Sequence, residues 1–214
     1  MERLAQIPQI TIQRLPAYLR CLLQAQAIRM PVINSIGIAE MCGTNAAQVR
    51  KDLSYLGELG IRGTGYDVED LIGHISRVLG ITEKRRAAIV GFGKFGGALF
   101  GYSGFAERGF EIVAVFDADP AKIGMAAGDL VVRSVDEIET VLTEEGVEIV
   151  IMATPPAVTQ AAANRVVAGG VKAILNLAPV NLDVPDDVIV RQVCLSTDLQ
   201  ILSFYLAQGG SVER

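Results

Sequence analysis

The residues Gly91-Phe92-Gly93-Lys94-Phe95-Gly96 carry the spacing G-x-G-x-x-G. Glycine at the first position permits a tight turn. At the second it lets backbone approach a pyrophosphate, and at the third it lets a helix pack close to a strand. Many glycine-rich loops share this spacing, so its surroundings decide its meaning. The apolar run Ala87–Val90 predicts a strand before the loop, and the stretch from Lys94 to about Ser103 predicts a helix after it. The start of that helix offers N–H groups and the positive end of a dipole to phosphates. Asp117 ends the next apolar run, 24 residues after Gly93. A carboxylate there accepts from a ribose 2′-OH and repels a 2′-phosphate. These residues predict a site for NAD(H) in preference to NADP(H).

Two further segments follow apolar runs at the edge where ligands of parallel sheets bind. They are Ala153-Thr154-Pro155-Pro156 and Asn176-Leu177-Ala178-Pro179. Thr154, Pro155, Asn176 and Pro179 are candidates for the nicotinamide side of the cofactor. Ordinary turn chemistry, with proline as punctuation, explains the same segments equally well.

A second chemistry lies earlier in the chain. In the helix predicted after Thr44, Ala46, Val49, Leu53 and Leu56 share one face. Thr44, Ala47, Gln48, Lys51, Ser54 and Tyr55 share the other, with Arg50 at its flank. That small, polar, basic face suits the major groove of DNA, where Gln, Arg and Lys reach base edges and Lys and Ser reach phosphates. A solvated helix face is the alternative. Arg62, between glycines and followed by Gly63, sits in a loop that reads as a wing or as a generic surface turn; a narrow minor groove attracts an inserted Arg.

These residues need two kinds of scaffold. Up to residue 80 the chain reads as helices. Leu15, Tyr18, Leu19, Leu22 and Leu23 repeat as one buried helical face. Pro16 is expected in the first turn of that helix, where its missing N–H costs little. A short helix from about Asn34 to Cys42 is broken by Gly43, and Thr44 is the expected N-cap of a third helix over about 45–57. Gly57, Gly60, Gly63 and Gly65 predict a hairpin or loop, and helical periodicity returns from Val68 to Leu79. After a charged linker, the runs at Ala87–Val90, Glu111–Phe116, Val147–Met152 and Val171–Leu175 alternate with helix-length segments. This describes an α/β domain with a mainly parallel sheet covered on both faces. The tail from Asp198 to Ala207 is apolar on more than one face, which predicts burial from several sides, including by a second subunit.

The bulk composition narrows the classes. A length of 214 residues fits two compact domains. The net charge of −5 argues against indiscriminate coating of nucleic acid or membrane. Between Arg14 and Tyr66, however, six basic residues (Arg14, Arg20, Arg29, Arg50, Lys51, Arg62) face three acids (Glu40, Asp52, Glu58). Three scattered cysteines, Cys21, Cys42 and Cys194, lack zinc or disulfide spacing and predict reduced thiols in a cytoplasmic protein. Neither a signal peptide nor a membrane span is expected. An NAD-dependent oxidoreductase would need an acid or base beside the nicotinamide. The single histidine, His74, falls outside the predicted crevice, and no Tyr-x-x-x-Lys pair follows the fourth apolar run. A CoA- or nucleotide-binding module would explain the glycine loop but leave the Arg50–Lys51 face without a role.

The string Ala46-Ala47-Gln48-Val49-Arg50-Lys51-Asp52-Leu53-Ser54-Tyr55, with Gly60-Ile61-Arg62-Gly63-Thr64-Gly65-Tyr66, resembles the Rex family of redox-sensing transcriptional repressors. Arg14–Arg20, the glycine loop, Phe116-Asp117 with Asp119-Pro120, Lys122–Gly124 and Ile174–Pro179 extend the resemblance over nearly the whole chain. The resemblance implies a winged-helix DNA-binding domain over 1–80, a Rossmann domain over 81–193 and a domain-swapped C-terminal helix and tail over 194–214. It implies a homodimer that binds an inverted-repeat operator when NADH is low relative to NAD+ and leaves it when NADH binds, with no catalysis and no metal. Arg50, Lys51 and Arg62 match DNA contacts of the family, with Tyr66 beside them. Arg20 and Tyr102 match positions that join the domains and change partners during the switch. Many members pair those two with an Asp in a Val-Asp-aromatic or Val-Asp-Leu string; this chain has Val193-Cys194-Leu195. A neutral thiol does not replace a carboxylate in a charge-assisted pair, so a shifted NADH response is expected.

Overall fold

The structure is a computed structural model that describes residues 7–61 and 63–209; Arg62 lies outside the described residues. The chain divides into two compact units between Glu83 and Lys84.

The first unit runs α1 (Gln9–Ala27), β1 (Val32–Ile33), α2 (Ser35–Cys42), α3 (Ala46–Ser54), β2 (Tyr66–Asp67) and α4 (Val68–Leu79). Leu15, Tyr18 and Leu22 of α1 pack with Ile38 of α2, Val49 and Leu53 of α3, and Leu71 and Ile75 of α4. The helix α1 begins at Gln9, so Pro16 lies in its interior and not in its first turn. An interior proline removes one helical N–H and costs about 3 kcal/mol. Here Pro16 and Ile12, whose carbonyl loses its donor, are on the exposed side, while Thr11, Leu15, Tyr18 and Leu22 stay buried and hold both halves of the helix.

The cap of α3 is Asn45, whose side chain accepts the Gln48 N–H at 2.8 Å. Thr44, the expected cap, sits one residue earlier, and its N–H closes the end of α2 on the Ala39 carbonyl. An Asn side chain is the stronger N-cap, which favours the later start. At its other end α3 stops at Ser54, three residues short of the expectation, as Gly57 and Gly60 turn into left-handed conformations (φ 118° and 99°). The reading of helices broken by one hairpin or loop also missed β1 and β2, which pair antiparallel through Val32–Asp67 and Ile33–Tyr66. Two-residue strands carry no alternating pattern to read. Between α3 and β2, Ile61 and Gly65 exchange backbone hydrogen bonds of 2.9 and 3.0 Å, closing a tight hairpin. The unit is thus a helix–turn–helix with a small wing.

The second unit holds β3 (Arg85–Val90), α5 (Lys94–Phe100), β4 (Phe110–Asp117), β5 (Ala126–Ala127), β6 (Leu130–Ser134), α6 (Ile138–Glu144), β7 (Ile149–Met152), α7 (Pro156–Ala168), β8 (Ala173–Asn176), β9 (Ile189–Gln192) and α8 (Leu195–Ala207). Its sheet order is β5-β6-β4-β3-β7-β8-β9, parallel throughout except for β5 against β6. This is a doubly wound α/β sheet of the Rossmann type. The predicted runs starting at Val147 and Val171 are buried, but both residues sit in lead-in turns, and the strands begin two residues later. The strands β6 and β9 were not anticipated, because Arg133 and Arg191 interrupt their apolar pattern. Val90 of β3 lies level with Phe116 of β4 and Met152 of β7, so the turns after these three strands meet at one edge. All residues of α8 are exposed, including Leu199, Leu202, Phe204 and Leu206. The expected burial of this helix is therefore not supplied by its own chain.

Candidate functional site

The three turns that meet at the sheet edge form a cleft of about 770 Å³. Gly91 leaves β3 with φ 98°, and a Cβ there would lie 2.6 Å from the Ala153 carbonyl oxygen. A Cβ on Gly96 would lie 1.8 Å from the Gly91 oxygen. Both positions exclude any side chain. Gly93 differs, because a Cβ there would meet nothing within 4 Å and would project into open space. Gly93 thus leaves bare backbone open to the cleft it lines. That cradle, with Lys94 and Phe95 at its rim, fits the pyrophosphate of a dinucleotide. Phe92 contributes its backbone; its ring packs edge-on against Phe100, 6.1 Å away.

Asp117 is almost buried behind the turn. One carboxylate oxygen accepts the Phe92 N–H at 2.7 Å and the Lys122 ammonium at 2.9 Å; the other accepts the Asp119 N–H at 2.8 Å. Burial raises its pKa, but the Asp119 N–H, Lys122 and the Phe92 N–H together outweigh burial and hold the carboxyl below its ordinary value. Thr154 and Pro155 line the cleft, and the Thr154 hydroxyl shares a 2.9 Å hydrogen bond with Thr159. Asn176 is fully buried. Its amide donates to the Val180 carbonyl and the Gln192 side chain and accepts from the Ala178 N–H, so it shapes the loop that carries exposed Pro179. Sequence reasoning did not single out the far wall, formed by Val135, Val158, Ala161, Ala162 and Arg165. Arg165 is tied there to Asp136 at 3.0 Å and to the Val135 carbonyl.

On the first unit, Ala47, Arg50, Lys51 and Ser54 of α3 are exposed. Arg50, Ser54, Gly63 and Tyr66 border one groove of about 660 Å³ between α3, the start of α2 and the hairpin. Arg50 donates to the Ser35 hydroxyl at 2.9 Å, and Ser54 to the Lys51 carbonyl at 2.7 Å. Burial raises the Tyr66 phenol. Thr44 is half-buried in the preceding turn, and Gln48 is drawn inward, its amide donating to Asp52 at 3.0 Å.

Asp52 is the residue that the sequence reading passed over. It is fully buried and accepts from Thr11 (2.9 Å), Arg14 (2.6 Å twice), Tyr18 (2.7 Å) and Gln48. Burial pushes its pKa up, but the bonds from Arg14, Tyr18, Thr11 and Gln48 outweigh burial and hold it at about 2. The charge locks α3 onto α1. A signal was present in the sequence, since Val49, Asp52, Leu53 and Leu56 repeat on the buried period, and Thr11, Arg14, Leu15 and Tyr18 do the same on the facing helix.

Of the expected switch residues, Arg20 is exposed on α1, and Tyr102 is exposed and edge-on to Phe105. Cys194 caps α8, its sulfur 3.0 Å from the Ser196 hydroxyl. Hydrogen bonds from the Ser196 and Thr197 side chains and the Thr197 N–H bring its thiol down to about 7. All three cysteines are free. Among the described residues there is no cluster of three metal ligands and no helix long and apolar enough to cross a membrane.

Comparison with known proteins decides the family. Residues 6–54 match a family model described as the N-terminus of putative DNA-binding proteins, and residues 82–180 match the CoA binding domain. The redox-sensing transcriptional repressor Rex of Streptomyces griseus is 47% identical over 199 residues, 93% of this chain and 79% of that protein. The Rex of Carboxydothermus hydrogenoformans is 46% identical, over 92% of this chain and 95% of that one. The chain belongs to the Rex family of redox-sensing transcriptional repressors. Solved Rex structures agree. RSP in complex with β-NAD+ and operator DNA matches with a TM-score of 0.90 and 34% identity, covering 95% of this chain and 94% of RSP. RSP in complex with β-NADH matches at 0.85 and 32%, covering 95% and 96%.

Proposed function

We propose that this Rex-family chain represses transcription by binding operator DNA when NADH is scarce relative to NAD+, and that NADH binding in the cleft releases it. One observation carries the reading: a single chain joins an open glycine cradle backed by a buried acid to a helix with a basic, outward face. The Gly93 backbone would take the pyrophosphate, and Asp117, which keeps acceptor capacity on one oxygen, a ribose hydroxyl. Thr154 and Pro155 face the nicotinamide end, with Asn176 holding the loop of Pro179. Lys51, Arg50 and Arg62 would contact DNA, with Thr44, Ala47, Gln48, Ser54, Gly63 and Tyr66 around them.

The exposed apolar helix α8 supports a homodimer in which each copy covers the other's helix, and a two-fold dimer reads an inverted repeat. Arg20, Tyr102 and Cys194 belong to the contacts that change between states. NADH must favour the arrangement that does not fit DNA, and the coupling equals its affinity ratio for the two arrangements. The oxidised nicotinamide carries a positive charge that an apolar rim at Pro155 would penalise and the neutral reduced ring would escape. The protein acts in the cytoplasm, without catalysis and without a metal. Titrating operator binding against the NADH/NAD+ ratio at fixed salt tests this. Affinity should fall as NADH rises, and operator binding that is equally tight in saturating NADH overturns the reading.

A further inference from the structure

The end of the cleft where a ribose 2′ position would lie carries more charge than the single acid expected there. Asp117, Asp119 and Lys122 all line it. Lys122 sits 2.9 Å from Asp117 and 3.9 Å from Asp119. The two carboxylates therefore share one ammonium, and the group keeps one net negative charge. They are placed differently. The Asp117 side chain is 10% exposed and accepts two backbone N–H groups as well as the closer contact to Lys122. The Asp119 side chain is 48% exposed; it accepts the Ala121 N–H at 3.0 Å and meets Lys122 only at the longer 3.9 Å. Asp119 is thus the more open and the less compensated of the two acids that line the cleft.

We infer that Asp119 is the residue that excludes a dinucleotide bearing a 2′-phosphate, while Asp117 positions the glycine turn through the Phe92 N–H. A phosphate entering here would meet the open carboxylate of Asp119 before it reached Lys122, whose charge Asp117 already engages. With Asp119 neutral, the remaining Asp117–Lys122 pair is balanced in charge and no longer repels the phosphate, and selectivity is lost. This inference rests on the reading of the cleft as an NAD(H) site.

The fluorescence of the reduced nicotinamide measures NADH and NADPH binding directly. Full-length wild type should bind NADH well and NADPH poorly. Asp119→Asn keeps the turn acceptor and removes the charge. It should raise NADPH affinity by about tenfold or more, the effect of removing one close like charge in a partly exposed site, with NADH affinity little changed. Adding Lys122→Gln should abolish that gain. Asp117→Asn should weaken both nucleotides together. An unchanged NADPH-to-NADH ratio in Asp119→Asn, or a selective gain of NADPH in Asp117→Asn, overturns the inference. Failure of wild type to bind NADH at all would instead sink the reading of the cleft.

Discussion

Asp52 and Asp117 are both nearly removed from water behind a candidate site, yet they are held by different kinds of donor. Asp52 takes its bonds from side chains: Thr11, Arg14 and Tyr18 of α1, and Gln48 of its own helix. Asp117 takes two of its three from backbone N–H groups. The difference follows what each surface must present. Reading DNA requires side chains aimed outward from a helix of fixed pose, so the helix is clamped from behind. Cradling a pyrophosphate requires bare backbone, so the turn is held by its own amides and kept clear by glycine. The helix site should therefore fail when its clamp is cut, and the turn site when a single methyl group is added.

Cutting the clamp gives the largest expected effect. Asp52→Ala leaves Arg14 part-buried without its partner, a change that typically costs 3–5 kcal/mol, or roughly that range here. The first unit should melt well below the wild type, and operator binding should be lost with it. Replacing both partners by leucine should restore much of the stability, since apolar substitution of a buried pair is often neutral. The pH dependence has a definite sign. Asp52 is held at about 2 when folded, below its unfolded value near 3.9. Its contribution is complete above about pH 4 and disappears as the pH falls toward 2. Denaturant midpoints of wild type should therefore drop over that window more steeply than those of Asp52→Asn. Parallel slopes would mean that the clamp does not hold Asp52 below its ordinary value.

Adding a methyl group tests the other side. Gly96→Ala places a carbon on the Gly91 carbonyl and should destabilise the second unit by about 3 kcal/mol. Gly93→Ala meets no atom, so its melting temperature should stay near wild type while NADH affinity falls by an order of magnitude or more. Thermal melts paired with fluorescence titrations separate the two. Unimpaired NADH binding by Gly93→Ala would show that the open face of the turn does not meet the cofactor.

The same contrast explains what was legible in the residues. Glycine spacing announces a backbone site almost completely, because only glycine permits the geometry at Gly91 and Gly96. The acid after β4 is equally plain, although its partners Phe92 and Lys122 are set by the turn and only emerge in three dimensions. The proposed DNA-facing helix, α3, was visible from its outer face. Its clamp was not, because a buried Asp on an apolar period reads as an interruption until a facing helix is seen to bring Arg14 and Tyr18 to it. Pro16 misled for a related reason: the rule that places proline in a first turn gave way to burial of the stripe from Thr11 to Leu22. The outer strands β6 and β9 and the apolar wall of α7 lacked a pattern strong enough to read.

Smaller effects sharpen the helix side. Lys51 is exposed on α3 and takes no part in the clamp. Lys51→Ala should leave stability and NADH binding unchanged, weaken operator and non-operator DNA alike, and lower the slope of log affinity against log salt by about 1. A change in preference among operator sequences with an unchanged salt slope would make Lys51 a reader of bases instead.

The smallest effect concerns Cys194, where a third arrangement favours a charge: hydroxyls and an amide at a helix start. Ser196, Thr197 and the Thr197 N–H bring the thiol to about 7, while burial pushes Cys42 up to about 12 and Cys21 is buried. Alkylation of native protein by iodoacetamide should therefore label Cys194 first, with a rate that reaches half its maximum near pH 7. Ser196→Ala should move that midpoint upward. If the thiolate stands in for the carboxylate of other Rex proteins, NADH-driven release from the operator should change between about pH 6 and about pH 8, because the thiolate fraction rises across that interval. Cys194→Asp, ionised throughout, should remove the dependence. Equal pH dependence in both proteins would show that the charge at this position does not enter the switch, and that Cys194 is held low by its helix start alone.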